Sequence, residues 1–205
     1  MSSWTKRVFF DDYVFVVDEN VYEPAEDSFL FAENFDVKEG ERVLDMGTGC
    51  GILGMIASKK AGEVVAVDVN PFALRCARDN ALLNNVRGKL AFLRSDLFTA
   101  FTEKAMFNVV LFNAPYLKTE RSAEDSSWLE RAWTGGRTGR EIIDRFISEV
   151  PKYLKSAGRV FLLQSTQAGV DETLLYFKKC RLSASVVASR PLPFFETITL
   201  IEATT

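Results

Sequence analysis

"RVLDMGTGCGILGMIASKKAGEVVAVDVN", residues 42–70, sets two short apolar runs on either side of a glycine-rich turn and an apolar-striped segment. RVLDMG reads as a short buried strand, GILGMIASKKAG as a helix closed by Gly62, and EVVAVDV as a nearly continuous apolar strand. Strands of that last kind lie inside parallel sheets covered on both faces. Downstream the alternation continues. NPFALRCARDNALLNN opens with Asn70 as N-cap and Pro71 at the first helical position. KLAFLRSD and FNVVLFNAP are further strands, and GREIIDRFISEVPKYL is amphipathic, with Ile142, Ile143, Phe146, Ile147 and Val150 on one stripe. GRVFLLQS is a strand and GVDETLLYFKKC a helix, and the tail forms two antiparallel strands joined by a Pro-rich loop. Upstream, RVFFDDYVFVV predicts a hairpin around Asp11 and Asp12, and YEPAEDSFLFAENF a helix entered near Pro24. Glu26 and Asp27 fall in that helix's first turn, where acids suit the helix dipole. The alternation argues for an α/β fold whose ligand sits above the carboxyl ends of the strands.

Composition narrows the chemistry. The 205 residues are enough for one core, predicted as a single domain over 1–205 with residues 1–40 packed on it as an extension. Lys plus Arg is 25 against 28 Asp plus Glu, a net charge of −3 that argues against a nucleic-acid partner. With no histidine, imidazole bases and His-ligated metals are excluded, and the three cysteines are too scattered to hold a metal. Odd, dispersed cysteines suit a reducing interior, and neither a signal peptide nor a membrane-spanning run is visible, so the expected location is the cytoplasm.

The turn LDMGTGCGILG lets backbone N–H groups approach a ligand closely. From Gly49 it matches G-x-G-x-x-G through Gly51 and Gly54, with Asp68 ending the next strand, so a dinucleotide site is one reading. Asp45, two residues before Gly47, favours S-adenosylmethionine (SAM) instead: its carboxylate suits the ammonium of a methionine moiety, and Asp68 the ribose hydroxyls. Asp96 ends a third strand where an adenine amino group could be received. Three acids at successive strand ends are poorly explained by packing, because a desolvated carboxylate needs partners.

With Asn113-Ala114-Pro115-Tyr116 ending the fourth strand, this set resembles the class I SAM-dependent methyltransferases that carry an [N/D]-P-P-[Y/F] motif. YEPAEDS (residues 22–28) and WTGGRTGRE (133–141) narrow the resemblance to the HemK-type glutamine N5-methyltransferases, in their short archaeal and eukaryotic branch. The resemblance implies a Rossmann-like, mostly parallel seven-stranded sheet with one antiparallel strand, helices on both faces, and a short N-terminal hairpin and helix. It implies a substrate as well, the Gln of the Gly-Gly-Gln motif in a class I translation release factor, and a small zinc-binding activator as partner. The cofactor set carried over is Tyr22, Glu26, Asp45, Gly47, Gly49, Gly51, Asp68, Asn70, Asp96, Leu97 and Asn113, with Tyr22 and Glu26 closing over SAM. In the catalytic set, the Asn113 oxygen and the Ala114 carbonyl accept from the substrate amide, and Tyr116 packs on its flat face. Ala114 stands where the family usually has Pro, but a backbone carbonyl survives that change, and Pro115 keeps residue 114 extended. WTGGRTGR is expected as a flexible loop that orders over a peptide. Competing readings are an adenine-N6 methyltransferase on DNA or RNA, a SAM-binding subunit without catalysis, and a nicotinamide-dependent oxidoreductase.

Overall fold

The computed structural model describes residues 6–121, 125–193 and 195–205. Strands β1 (Lys6–Phe10) and β2 (Tyr13–Val17) form the expected antiparallel hairpin around Asp11, whose φ is +48°. Helix α1 (Glu26–Asn34) follows. The alternating core then runs β3 (Arg42–Met46), α2 (Ile52–Ala57), β4 (Glu63–Asp68), α3 (Pro71–Leu83), β5 (Leu90–Arg94) and β6 (Phe107–Asn113). After it come α4 (Trp128–Arg131), α5 (Glu141–Glu149), β7 (Leu154–Ser165), α6 (Val170–Lys179), β8 (Ser183–Pro191) and β9 (Thr197–Thr204).

The seven core strands lie in the order β5-β4-β3-β6-β7-β9-β8. All are parallel except β9, which is antiparallel to both its neighbours. Because strand side chains alternate between faces, β3 sends Val43 to one core and Leu44 and Met46 to the other, and β6 likewise divides Val109 and Leu111 from Val110 and Phe112. Helices α1, α2 and α3 cover the first core together with β2, and α5 and α6 cover the second.

Several boundaries differ from the sequence reading, among them the end of α5, which stops at Glu149 rather than running on toward Leu154. Helix α2 stops at Ala57 rather than running to Gly62. The Ser58 hydroxyl donates back to the Met55 carbonyl, and the chain must turn to meet the segment before β3, where Gly62 N–H donates to Glu41 O and Gly40 N–H to Lys60 O. β7 begins at Leu154, earlier than GRVFLLQS, because Phe107 pairs with Leu154 across a register shift before regular pairing starts at Val109.

The hairpin is fastened to α3 by two asparagines one helical turn apart. Asn80 accepts from Val16 N–H (2.9 Å) and donates to Val16 O (3.1 Å), and Asn84 does the same with Val14 at 2.9 and 2.8 Å. Four helical residues rise about 6 Å and two strand residues about 6.8 Å, so amides at i and i+4 match alternate residues of a strand. These side chains stand in for a neighbouring strand on that edge of β2. Asn80 Nδ2 also donates to the Cys50 carbonyl in the glycine turn, 3.0 Å away. Asn80→Ala should therefore lower unfolding free energy by about 2–3 kcal/mol by stranding these backbone groups, and Leu82→Ala, on an exposed side chain of the same helix, should cost far less; urea titration of both variants checks this.

Candidate functional site

The glycine turn between β3 and α2 is built around Asp45. Its carboxylate is almost fully buried, and Oδ2 accepts from the Thr48 hydroxyl at 2.6 Å and the Gly54 N–H at 3.0 Å. Gly51, at φ +93°, starts α2 with no room for a side chain: a Cβ there would lie 2.9 Å from Met55 Cε and 3.1 Å from Ala77 Cβ. Gly49, at φ +57°, differs. A Cβ there would meet nothing nearer than the Gly47 carbonyl at 4.0 Å, so its open side is free for a ligand to approach. Thr48 N–H donates to Val67 O at 2.8 Å, which ties the turn to the end of β4.

Asp68 ends β4 with both oxygens oriented by main chain, Oδ2 accepting from Gly49 N–H at 3.0 Å and Oδ1 from Asn70 N–H at 2.9 Å. Burial pushes the Asp45 carboxyl up to about 7, against the lowering effect of Thr48 and Gly54 and with a further push from the Asp68 charge. Burial also raises Asp68, opposed by the Asn70, Gly49 and Val69 amides. Asp45 feels the Asp68 charge, so a cation brought beside the two carboxyls would favour its ionised form.

At the end of β6, Asn113 Nδ2 donates to Asp27 Oδ2 at 3.0 Å. With its nitrogen so engaged, the Asn113 oxygen is left as the acceptor. Asp27 Oδ1 in turn accepts from Ser28 N–H at 2.6 Å and from the Tyr22 hydroxyl at 3.2 Å. Burial and the Asp27 charge raise both the Tyr22 and Tyr116 phenols, which keeps them protonated. Ala114 is buried, and its N–H donates to Leu163 O at 3.2 Å.

The expected residues fall into distinct groups. Gly51 is linked to Asp45 through Thr48, Gly49 is bonded to Asp68, Gly47 turns the chain beside the Phe112 ring at φ +66°, and Tyr22 joins Asn113 through Asp27. The Asn70 side chain is committed to protein: Oδ1 caps α3 at Phe72 N–H, and Nδ2 donates to Asn20 O, both at 2.9 Å. Asp96 is exposed and paired with Arg145 of α5 at 2.8 Å, followed by buried Leu97 at φ +46°. Glu26 is paired with Arg190 of β8 at 2.9 Å. Sequence reasoning treated Asp27 only as a first-turn acid. Its signal was the pair Glu26-Asp27 itself: successive helical residues point about 100° apart, so one acid turns out to Arg190 and the other in to Asn113.

The 133–141 segment is packed rather than free. The Arg140 guanidinium donates to Ala168 O, Gly169 O (2.8 Å) and Thr173 Oγ1 (3.0 Å) and pairs with Asp144 at 2.7 Å. Gly135 and Gly139 are buried against the strand-end backbone.

The methyltransferase small domain family matches residues 15–129. A Methanocaldococcus jannaschii protein named as a protein N5-glutamine methyltransferase is 44% identical over 177 residues, which is 86% of this chain and 88% of that protein. Human methyltransferase HEMK2 is 32% identical across 83% of this chain and 84% of its own length. The solved Mtq2–Trm112 complex of E. cuniculi, described as responsible for methylating the eRF1 translation termination factor, superposes with a TM-score of 0.72 at 25% identity, covering 91% of this chain and 99% of that one. With the family matching more than half of its length and a 44%-identical relative spanning most of it, this chain belongs to the methyltransferase small domain family.

Proposed function

We propose that this protein methylates the side-chain amide nitrogen of glutamine, in the Gly-Gly-Gln motif of a class I translation release factor, with SAM as methyl donor. The observation that carries the reading is the hydrogen bond from Asn113 to Asp27, which leaves a fixed oxygen acceptor at the strand end. The names of the similar proteins support the same substrate.

The pocket residues fit SAM. Gly49 offers an open backbone surface, Asp68 has both oxygens pre-aimed by main-chain donors, and the Asp45–Asp68 pair favours positive charge. In this reading Asp68 holds the ribose hydroxyls, Asp45 faces the ammonium, Asp96 and Leu97 border the adenine, and Tyr22 lines the cofactor's cover, whereas Glu26 is turned out to Arg190. When bound, SAM supplies a methyl group already electrophilic on its sulfonium.

A glutamine amide is a weak nucleophile because its lone pair is delocalised into the carbonyl, so the protein's task is alignment and charge stabilisation. The Asn113 oxygen and the Ala114 carbonyl accept the two amide hydrogens and stabilise positive charge growing on the nitrogen. Tyr116 packs on the amide plane, and Asp27 keeps Asn113 from turning its NH₂ toward the substrate. The surplus proton leaves to water after transfer, so no histidine is needed.

A small activator protein, zinc-binding as the sequence resemblance implies, is proposed to dock on β5, which among the described residues is the last strand of the sheet on that side. Ala91 is exposed there, with Phe92 and Leu93 half-buried, and an open edge is open to strand addition. Adding the activator should slow hydrogen exchange at residues 91–93; unchanged exchange would remove β5 as the interface.

Asn113→Ala should lower turnover by roughly 10²–10³ with a much smaller loss of SAM affinity, and Asp27→Asn should fall between it and the parent. Single-turnover methylation of a Gly-Gly-Gln protein at saturating SAM, read by mass spectrometry, checks both. Methylation of nuclease-sensitive adenine instead would favour the adenine-N6 reading. If Asn113→Ala works at the parent rate, the strand end is only a turn.

The Asp45 carboxyl gives a pH test. Its folded-state value, about 7, lies above that of the unfolded chain, so its contribution to stability is greatest at low pH and declines as pH rises through 7. Asp45→Asn should therefore gain in melting temperature over the parent between pH 5 and pH 8. A cation in the pocket favours ionised Asp45, so SAM binding should release protons near pH 6.5, seen as buffer-dependent heat in calorimetry, and the Asn variant should abolish that release.

A further inference from the structure

The glycine-rich stretch WTGGRTGRE is not needed to explain cofactor binding, and its backbone is wrapped around the strand end rather than spread over the surface. Pro115 has no N–H, so the last strand-like tie from this end into the sheet is Ala114 N–H to Leu163 O at 3.2 Å. Beyond it the chain is held from the other side. Leu117 N–H donates to Trp133 O at 2.8 Å, Gly135 N–H to Leu117 O at 2.8 Å, and Thr119 N–H to Gly136 O at 3.0 Å.

The glycines permit this approach. A Cβ on Gly135 would sit 2.7 Å from the Pro115 carbonyl oxygen. One on Gly139, where φ is +75°, would sit 2.5 Å from the Tyr116 carbonyl oxygen. The turn is itself closed by Glu141, whose Oε1 accepts from Arg137 N–H at 2.9 Å and whose own N–H donates to Gly135 O at 3.0 Å. Arg140 anchors it to the turn before α6.

We propose that residues 135–139 are a positioning clasp for methyl transfer: glycine backbone braced against the Pro115 and Tyr116 carbonyls fixes the Ala114 carbonyl in register with the Asn113 oxygen, and Glu141 is the latch. The inference rests on the glutamine-methylation reading. Two acceptors aimed at one NH₂ are useful only while their spacing is held, and a misplacement of about 1 Å at such a centre can cost about 100-fold in rate. The Asp45–Asp68 pocket lies on β3 and β4, so loosening the clasp leaves SAM binding alone.

The test compares parent, Gly139→Ala, Glu141→Ala and Glu141→Gln on a Gly-Gly-Gln protein at saturating SAM, with SAM affinity measured separately. Gly139→Ala should lower kcat about 100-fold. Glu141→Ala introduces no backbone clash and keeps the test available if Gly139→Ala does not fold. It should lower kcat about tenfold and speed hydrogen exchange at the Leu117 and Gly135 amides, while SAM affinity and substrate KM stay within about twofold, as expected when only transition-state alignment is lost. Glu141→Gln, which still offers Arg137 an oxygen, should recover most of that loss. A rise in KM with kcat intact would make the segment a docking loop and overturn the proposal, as would loss of SAM affinity in step with kcat, or parent rates in the Glu141→Ala variant. An inactive parent would overturn the function and the clasp together; an active parent with unaffected variants overturns the clasp alone.

Discussion

The hydrogen bond between Asn113 and Asp27 joins the two halves of the site. One partner ends a central strand of the sheet and the other lies in the first turn of α1, so the N-terminal segment helps to build the candidate site rather than being an appendage. The Asp27 carboxylate only accepts, so it takes the nitrogen end of the Asn113 amide. Ser28 N–H and the Tyr22 hydroxyl in turn hold Asp27 still. Removing Asp27 leaves the asparagine able to present either end of its amide.

The cofactor pocket follows a different logic. Its acids are placed by main-chain donors belonging to the very turn they support, with Gly49 meeting Asp68 and Gly54 meeting Asp45. The turn and its acids are therefore one unit: the carboxylates shape the loop, and the loop holds the carboxylates out of bulk water. The Asp45 and Asp68 carboxyls lie at the ends of β3 and β4 and the Asn113–Asp27 pair at the end of β6, so the two groups are separated in space.

Much of this was legible from the chain because it rests on local chemistry. Continuous apolar runs separated by amphipathic segments announce a parallel sheet, and Asn70-Pro71 announces the start of α3, which the structure bears out with a 2.9 Å cap. What stayed hidden depends on how elements rotate against each other. Which of Glu26 and Asp27 faces inward is set by the roll of α1 on the sheet. Asn80 and Asn84 look like ordinary polar helix positions until β2 lies beside them. The 133–141 stretch looks like a mobile loop because glycine signals flexibility in isolation and close packing only when its neighbour is known.

The Asp27–Asn113 pair is separated by 86 residues in sequence. Contacts of that range carry a large loop-closure entropy and form after the local ones in a folding chain. The glycine turn and its acids span fewer than thirty residues, so this turn can take shape early. The acceptor end can be completed only when β6 has docked beside β3 and α1 has settled over it. A partly folded chain, or one still emerging from synthesis, would thus be able to form the turn that carries Asp45 and Asp68 before the Asn113 end is in place.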